Sequence, residues 1–296
     1  MKSFHLVPAT ALMVLAASGV LANELDRMRT SGEVVLAHRE ASLPFSYLDA
    51  NKEPVGYSVD LCLRVVEALR KELKLPALKV KWLPVTSASR IPAIAEKRAT
   101  LECGSTTNNA ERRKQVDYTI AHFISSSRFL VKADRGISQM WDLIGKRVIS
   151  TKGTTNVKAL YRLNDEHGLK MQIAEASDHA EAFGAVQANK ADAFAMDDVL
   201  LYGLRANSSD PKAFAVVGKP MTIEPYAIMM PKGEPELKAI VDREIRRIIF
   251  SGEINVIYKK WFESAIPPNN INLDLPMPYM LRESFKYPSD KVGDLN

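Results

Sequence analysis

The chain has 296 residues, enough for one large domain or two medium ones, and its balance of 46% apolar and 25% charged residues excludes wholesale disorder. The formal charge of +5 is spread among acidic residues rather than gathered into a basic patch with aromatic platforms, so no nucleic-acid partner is indicated. Two cysteines, with no Cys-x-x-Cys motif and no histidine-rich cluster, give no reason to expect a metal or other cofactor.

At the start of the chain, Lys2 and His5 precede an apolar run from Leu12 to Leu21, broken only by Ser18 and Gly19. That run is too short to span a bilayer and is followed by compact residues ending at Ala22, the pattern of a cleavable secretory signal over residues 1–22. No cysteine stands at the junction, which disfavours a lipid anchor. The expected product is a soluble protein exported to the periplasm.

After the signal, strands and helices alternate. Residues 33–37 read as a strand, 58–73 as an amphipathic helix, 78–85 as a strand, 87–97 as a helix and 100–103 as a strand. A second series follows, with strands at 146–150, 171–174 and 191–196 and helices at 155–166 and 179–188. Two βαβαβ series imply an α/β protein with two lobes. Extended segments at 128–132 and 226–231 can bridge them. The helices at 236–250 and 253–262 then return to a discontinuous first lobe. The expected division is 23–130 with 227–270 for lobe 1 and 131–226 for lobe 2. Residues 271–296 form a Pro- and Asn-rich tail packed on the surface. Cys62 shares an apolar helical stripe with Val66, Leu69 and Leu73, and Cys103 shares a strand face with Leu101. Both point inward, a pattern that one disulfide or two separate buried thiols satisfies.

Open α/β sheets bind ligands beyond the carboxyl ends of their strands. Four segments stand at such ends: HRE with Arg39, TSASR with Ser87 and Arg90, GSTT ahead of Arg112, and KGTTN at 152–156. Both Thr-Thr turns are read as leading into helices, whose free N–H groups and positive end attract anions; plain N-capping is the commoner use of such residues. Arginine offers a planar fork of donors suited to carboxylates. Asp197 and Asp198 close the last strand of the second series, one able to receive an ammonium group and the other to cap the next helix. His179, after Ser177-Asp178, is a further donor. Three arginines against Asp197 leave such a site about +2, which favours a dicarboxylic ligand.

The segments HREASLPFSY, VGYSVDLC, TSASRIP, ECGSTTNNAERRKQ, KGTTN, SDH, MDD, VGKP and IPPNNIN occur in this order as far as Asn272. In them the chain resembles the glutamate/aspartate-binding proteins of bacterial ABC transporters, within the family-3 periplasmic solute-binding proteins. The resemblance implies a type II periplasmic-binding-protein fold, each lobe a central sheet flanked by helices, joined by two crossover strands. It implies that Arg112, Thr107 and Thr155 hold an α-carboxylate and that Asp197 and Ser105 take an α-ammonium. Arg39, Ser87, Arg90 and His179 would hold a side-chain carboxylate. It further implies L-glutamate or L-aspartate as ligand, an ABC permease in the inner membrane as partner, and a monomer. Two places depart from the pattern: Lys152, where it has a small residue, and Pro225-Tyr226-Ala227, where it has Glu-x-Tyr-Gly with glycine last. Two other classes fit the same fold: a dehydratase-like periplasmic enzyme, for which Glu102 or His179 would be the acid or base, and a sensor domain. Neither is supported by a catalytic motif or an output segment in the sequence.

Overall fold

The computed structural model describes residues 23–291, so the expected signal segment at 1–22 lies outside the described residues. Helix α1 (Glu24–Ser31) leads into β1 (Glu33–His38), the short strands β2 (Ala41–Ser42), β3 (Ser46–Leu48) and β4 (Pro54–Val55), and α2 (Tyr57–Leu73). Then come β5 (Lys79–Pro84), α3 (Arg90–Ala95), β6 (Leu101–Glu102), β7 (Val116–Tyr118) and β8 (Phe123–Lys132). The second half runs β9 (Arg147–Thr151), α4 (Thr155–His167), β10 (Gln172–Ala176), α5 (His179–Gln187), β11 (Ala193–Asp197), α6 (Asp198–Ala206), β12 (Phe214–Val217) and β13 (Ile223–Tyr226). The chain finishes with β14 (Met229–Pro231), α7 (Pro235–Phe250), α8 (Glu253–Phe262), β15 (Ala265–Ile266), β16 (Ile271–Asn272) and α9 (Tyr279–Ser284).

Two sheets organise the molecule. The first has the order β5-β1-β6-β14-β7; β1 runs parallel to β5 and β6, and β14 lies antiparallel to its neighbours. The second has the order β10-β9-β11-β8-β12, with β13 pairing on β8. Here β9 is parallel to β10 and β11, whereas β8 is antiparallel to β11 and β12. The apolar faces of α2, α7 and α8 pack on the first sheet, burying residues such as Val65, Leu69, Ile245, Ile248 and Phe262.

The link expected at 128–132 is longer in the structure. β8 is a continuous ten-residue strand that carries Phe123 to Lys132 into the second sheet, and Ile223–Tyr226 pairs back on its first half. Burial explains the extension, since alternate residues from Phe123 onward point inward. Phe123 and Tyr226 are opposite partners in that pairing, and both enter an aromatic cluster. Phe45 lies 4.9 Å from Phe123 and 5.1 Å from Tyr226 between ring centroids, and Phe123 lies 5.1 Å from Phe262. The crossover strands are thereby anchored to α8 through close-packed rings.

Cys62 on α2 and Cys103 after β6 form a disulfide with a Cα–Cα distance of 6.0 Å. Ser58 on the same helix donates to the Gly104 carbonyl at 2.8 Å. Together these fix the start of the GSTT segment to α2. In the tail, Leu281 and Phe285 are buried against the main core. The Asp290 carboxylate reaches Lys238 at 3.0 Å. Among the described residues no helix is long and apolar enough to cross a membrane.

Candidate functional site

Both sheets turn the carboxyl ends of their parallel strands toward a common cleft. After β5, Thr86 and Ser89 close a turn on each other: the Thr86 N–H donates to Ser89 Oγ at 2.9 Å, and the Ser89 N–H to Thr86 Oγ1 at 3.2 Å. That closed turn delays the helix to Arg90 rather than Ser87 and projects Ser87 and Arg90 inward. After β9, Thr154 caps α4 by accepting from the Val157 N–H at 3.2 Å, which leaves Thr155 in the helix's first turn with its own N–H free of the helical ladder. After β10, Asp178 caps α5 and sets His179 at its first position. His179 Nδ1 lies 2.8 Å from Thr151 Oγ1.

A narrow cavity, without room for a water molecule, lies between the sheets, lined by Ser87, Arg90, Ser105, Thr107, Thr155, His179 and Asp197 among others. Seven of the nine residues expected from the sequence therefore share one space. Arg39 and Arg112 stand just outside that lining. Arg39 is 1% exposed. Arg112 donates to the Thr107 carbonyl at 2.9 Å and, across the cleft, to the Gly153 carbonyl at 3.2 Å. Arg39 Nη1, Arg90 Nε, Ser87 Oγ and Ser105 Oγ are buried without a hydrogen-bond partner among the described residues. A buried donor left unmatched costs about 1–3 kcal/mol, more when charged. Three of them line this one space and mark a place built for an acceptor-rich group, while Arg39 lines a separate small pocket with Glu40, Thr86 and Asp178.

The GSTT segment departs from the expectation of a helix start. Residues 104–111 are extended or turned, and only a 3-10 turn, Arg112–Lys114, follows. The cause is pairing with the crossover chain: Asn108 N–H donates to the Pro225 carbonyl at 2.8 Å and Ala227 N–H to the Thr106 carbonyl at 3.1 Å. Thr107 bridges Tyr226 between these bonds, with its own N–H turned away. No helix positive end acts here, and the anion-attracting helix start is that of α4 alone. The aspartate pair also divides its work. Asp197 accepts from Asn156 Nδ2 at 2.9 Å and from the Tyr226 hydroxyl. Asp198 accepts from Ser125 and Ser126 hydroxyls at 2.8 and 2.6 Å, tying α6 to β8.

The +2 balance inferred from three arginines against Asp197 is overturned by two further buried carboxylates. Glu102, at the end of β6, is fully buried; its Oε2 accepts from Thr106 at 2.8 Å and its Oε1 has no partner among the described residues. Its nearness to Gly104 and Arg39 is such that a β-carbon on Gly104 would fall 2.1 Å from Glu102 Oε1 and 3.2 Å from Arg39 Cγ. Glu224, on β13, is 2% exposed and accepts from three threonine hydroxyls: Thr107 at 2.6 Å, Thr155 at 2.8 Å and Thr222 at 2.6 Å. With all groups ionised, three arginines balance three carboxylates.

Burial then tilts the balance. It pushes Glu102 above the usual carboxylate range, with Arg90 and Arg39 opposing, and so toward its neutral form. Burial and the neighbouring Arg90 charge lower Arg39 to about 9, still cationic at neutral pH. Arg90 is lowered by burial and by Arg112. His179 falls well below its ordinary value through burial and the charges of Arg39 and Arg90, so it is a neutral imidazole. Asp197 is raised to about 7 by burial first and the Glu224 charge next, against its hydrogen bonds from Tyr226 and Asn156. The site is polarised: Arg39, Arg90 and His179 at one end, Asp197 and Glu224, with Arg112 beside Thr107, at the other. Asn156 has a sequence signal, being the last residue of KGTTN. Glu224 stands at the first position of the Glu-x-Tyr-Gly pattern at the second crossover, and Glu102 has a sequence reading only as a catalytic acid or base. Among the described residues no cluster of three or more His, Cys, Asp or Glu is placed to hold a metal.

A larger open groove of about 820 Å³ adjoins this cavity, lined by Asn109, Lys158, Arg162, Met221 and Glu224. Thr107 and Thr155 line both spaces. The narrow cavity gathers the buried polar groups; the groove is wider and carries few of them.

Two sheets enclosing a small cavity lined by unmatched donors define a two-lobed small-molecule-binding protein. Residues 34–264 match the model of the bacterial extracellular solute-binding proteins, family 3, and the chain belongs to that family. It is 42% identical to the L-glutamate/L-aspartate-binding protein of Pseudomonas aeruginosa, over 98% of this chain and 97% of that one. It is 40% identical to the glutamate/aspartate import solute-binding protein of Escherichia coli, over 96% and 98%. Among solved structures it is similar to an ancestral arginine-binding protein bound to glutamine, at 26% identity and TM-score 0.69, covering 78% of this chain and 98% of that one. It is also similar to an ancestral amino acid-binding protein that is a precursor of cyclohexadienyl dehydratase, at 28% identity and TM-score 0.67, over 81% and 99%.

Proposed function

We propose that this protein captures L-glutamate and L-aspartate in the periplasm and delivers them, as a monomer, to an ABC permease in the inner membrane, without converting them. The observation that carries the reading is the set of unmatched buried donors Arg90 Nε, Ser87 Oγ and Ser105 Oγ lining one cavity, with the buried Arg39 Nη1 also unmatched. A side-chain carboxylate held by Arg39, Ser87 and Arg90, with neutral His179 as a further donor, would satisfy most of them. Asp197 and Ser105 would take the α-ammonium. Arg112 and the backbone N–H groups of Thr107 and Thr155 would take the α-carboxylate. Lobe 1 (23–130 with 227–270) and lobe 2 (131–226) would close by bending where β8 and β13 cross, with the tail from 271 bound to the surface. The names of the two bacterial relatives above support the ligand class.

The test is calorimetric titration of ligand-stripped protein with L-glutamate, L-aspartate and L-glutamine, with recovery of the ligand afterward. Leaving a buried arginine unpaired costs roughly 3–5 kcal/mol, so the acids should bind about a hundred- to several-thousand-fold more tightly than the amide. The ligand should be recovered unchanged. Equal affinity for glutamine would refute the carboxylate clamp, and a converted ligand would refute the binding-only reading.

A further inference from the structure

Glu224 is the only side chain among the described residues whose carboxylate accepts hydroxyl bonds from both sides of the cleft: from Thr107, in the loop after β6, and from Thr155, at the start of α4. Both bonds run to the same oxygen, Oε2, while Oε1 is held by Thr222 at 2.6 Å. A threonine hydroxyl has one proton and two lone pairs. With that proton given to Glu224, the oxygens of Thr107 and Thr155 can act toward the cavity only as acceptors. Glu224 itself lines the outer groove and not the cavity, so it acts on a ligand through the two threonines. Asp197 lies close enough to feel the Glu224 charge.

We propose that Glu224 is a specificity-determining positioning residue that makes the ligand's amino group obligatory, by turning the Thr107 and Thr155 hydroxyls into acceptors at the amine end of the cavity and adding a second negative charge beside Asp197. This inference rests on the amino-acid reading above. Its chemical content is a preference for α-amino diacids over the same diacids lacking the amine. A deaminated ligand brings no donor to Asp197, Thr107 or Thr155 and leaves acceptors facing acceptors. The Glu224→Gln substitution keeps the shape, removes the charge and introduces an N–H donor. With its amide oxygen at the Oε2 position the glutamine can still accept from both threonines and turn its N–H donor to Thr222, so this variant tests the charge, while Thr155→Val tests the hydroxyl acceptor.

The experiment titrates ligand-stripped wild-type protein, Glu224→Gln and Thr155→Val with L-glutamate and with glutarate, its deaminated analogue. Wild type should prefer L-glutamate strongly. In Glu224→Gln the ratio of the two affinities should narrow by about tenfold or more, the scale of one charge-assisted hydrogen bond. Thr155→Val should narrow it in the same direction. A purely structural role would weaken both ligands by one factor, and an unchanged ratio in either soluble variant overturns the proposal. If Glu224→Gln does not fold, Thr155→Val decides alone. Wild type that fails to bind L-glutamate refutes the function proposed above; wild type that binds it with a ratio untouched by the variants refutes only the role of Glu224.

Discussion

Gly153 offers the sharpest test of how the cleft closes. It sits in the turn between β9 and α4 at φ 79°, and a β-carbon there would lie 2.6 Å from Ala88 Cα and 2.9 Å from both Ala88 N and Ser87 O. Those atoms are backbone of the turn after β5, on the other sheet, and cannot swing away as a side chain would. In Gly153→Ala the two turns must part by about 0.8 Å to regain ordinary van der Waals contact. The Arg112 Nη2 bond to the Gly153 carbonyl, 3.2 Å long, is then stretched to about 4 Å and lost. A hydrogen bond from a charged donor contributes about 1.5–3 kcal/mol, so binding should weaken by roughly 10- to 150-fold. The positive φ adds strain of about 1–2 kcal/mol, but in the open and closed forms alike. The assay pairs calorimetry with L-glutamate and thermal melting of the ligand-free protein. The expected result is a modest fall in Tm with a much larger loss of affinity. A variant that melts lower yet binds as tightly as wild type would show that the approach of Gly153 to Ala88 is no part of the ligand-gripping form.

Four further outcomes follow from the site's electrostatics and the disulfide. Arg39→Met should bind L-glutamate about a hundredfold or more weakly, yet raise the ligand-free Tm, since burial and the Arg90 charge disfavour the Arg39 cation in the folded chain despite nearby Glu102; a lower Tm in melting experiments would contradict this. Asp197, raised to about 7, keeps its proton longer in the folded protein than in the unfolded chain, so ligand-free stability should fall as pH rises between about 4 and 7. An arriving ammonium favours the carboxylate, so L-glutamate binding near pH ~6 should release a proton from this group; titration in buffers of different ionisation enthalpy reads it, and a release unchanged in Asp197→Asn would refute the assignment. Removing the Cys62–Cys103 bond, which spans a sequence separation of 41, should destabilise the protein by about 4 kcal/mol on the loop-entropy model. Urea unfolding of the double Cys→Ala variant measures it, and an unchanged midpoint would show that the crosslink constrains nothing.

What could be read from the sequence, and what could not, divides along a physical line. The βαβαβ series was legible because burial writes its period into the chain, and helix 253–262 lies where the pattern put it. The strand-end residues followed from topology, since a parallel sheet places every such end on one side. The GSTT segment misled because its composition is that of a helix cap, whereas its backbone is taken by Pro225 and Ala227, more than a hundred residues away. No local pattern encodes a partner at that separation. Glu102 and Glu224 were undervalued for the same reason. A lone glutamate in a sequence is read as solvated surface, and only the fold shows each one buried against groups from distant segments. Their effect on the argument is large. Counting arginines against Asp197 made total charge the source of selectivity. With three buried carboxylates facing three arginines, selectivity rests on where the charges lie. The arginine end offers unmatched donors to a carboxylate, and the Asp197–Glu224 end offers acceptors to an amine. A ligand must therefore match both ends in one orientation. That requirement rejects amides and deaminated acids by different groups, and makes the two rejections separable by mutation.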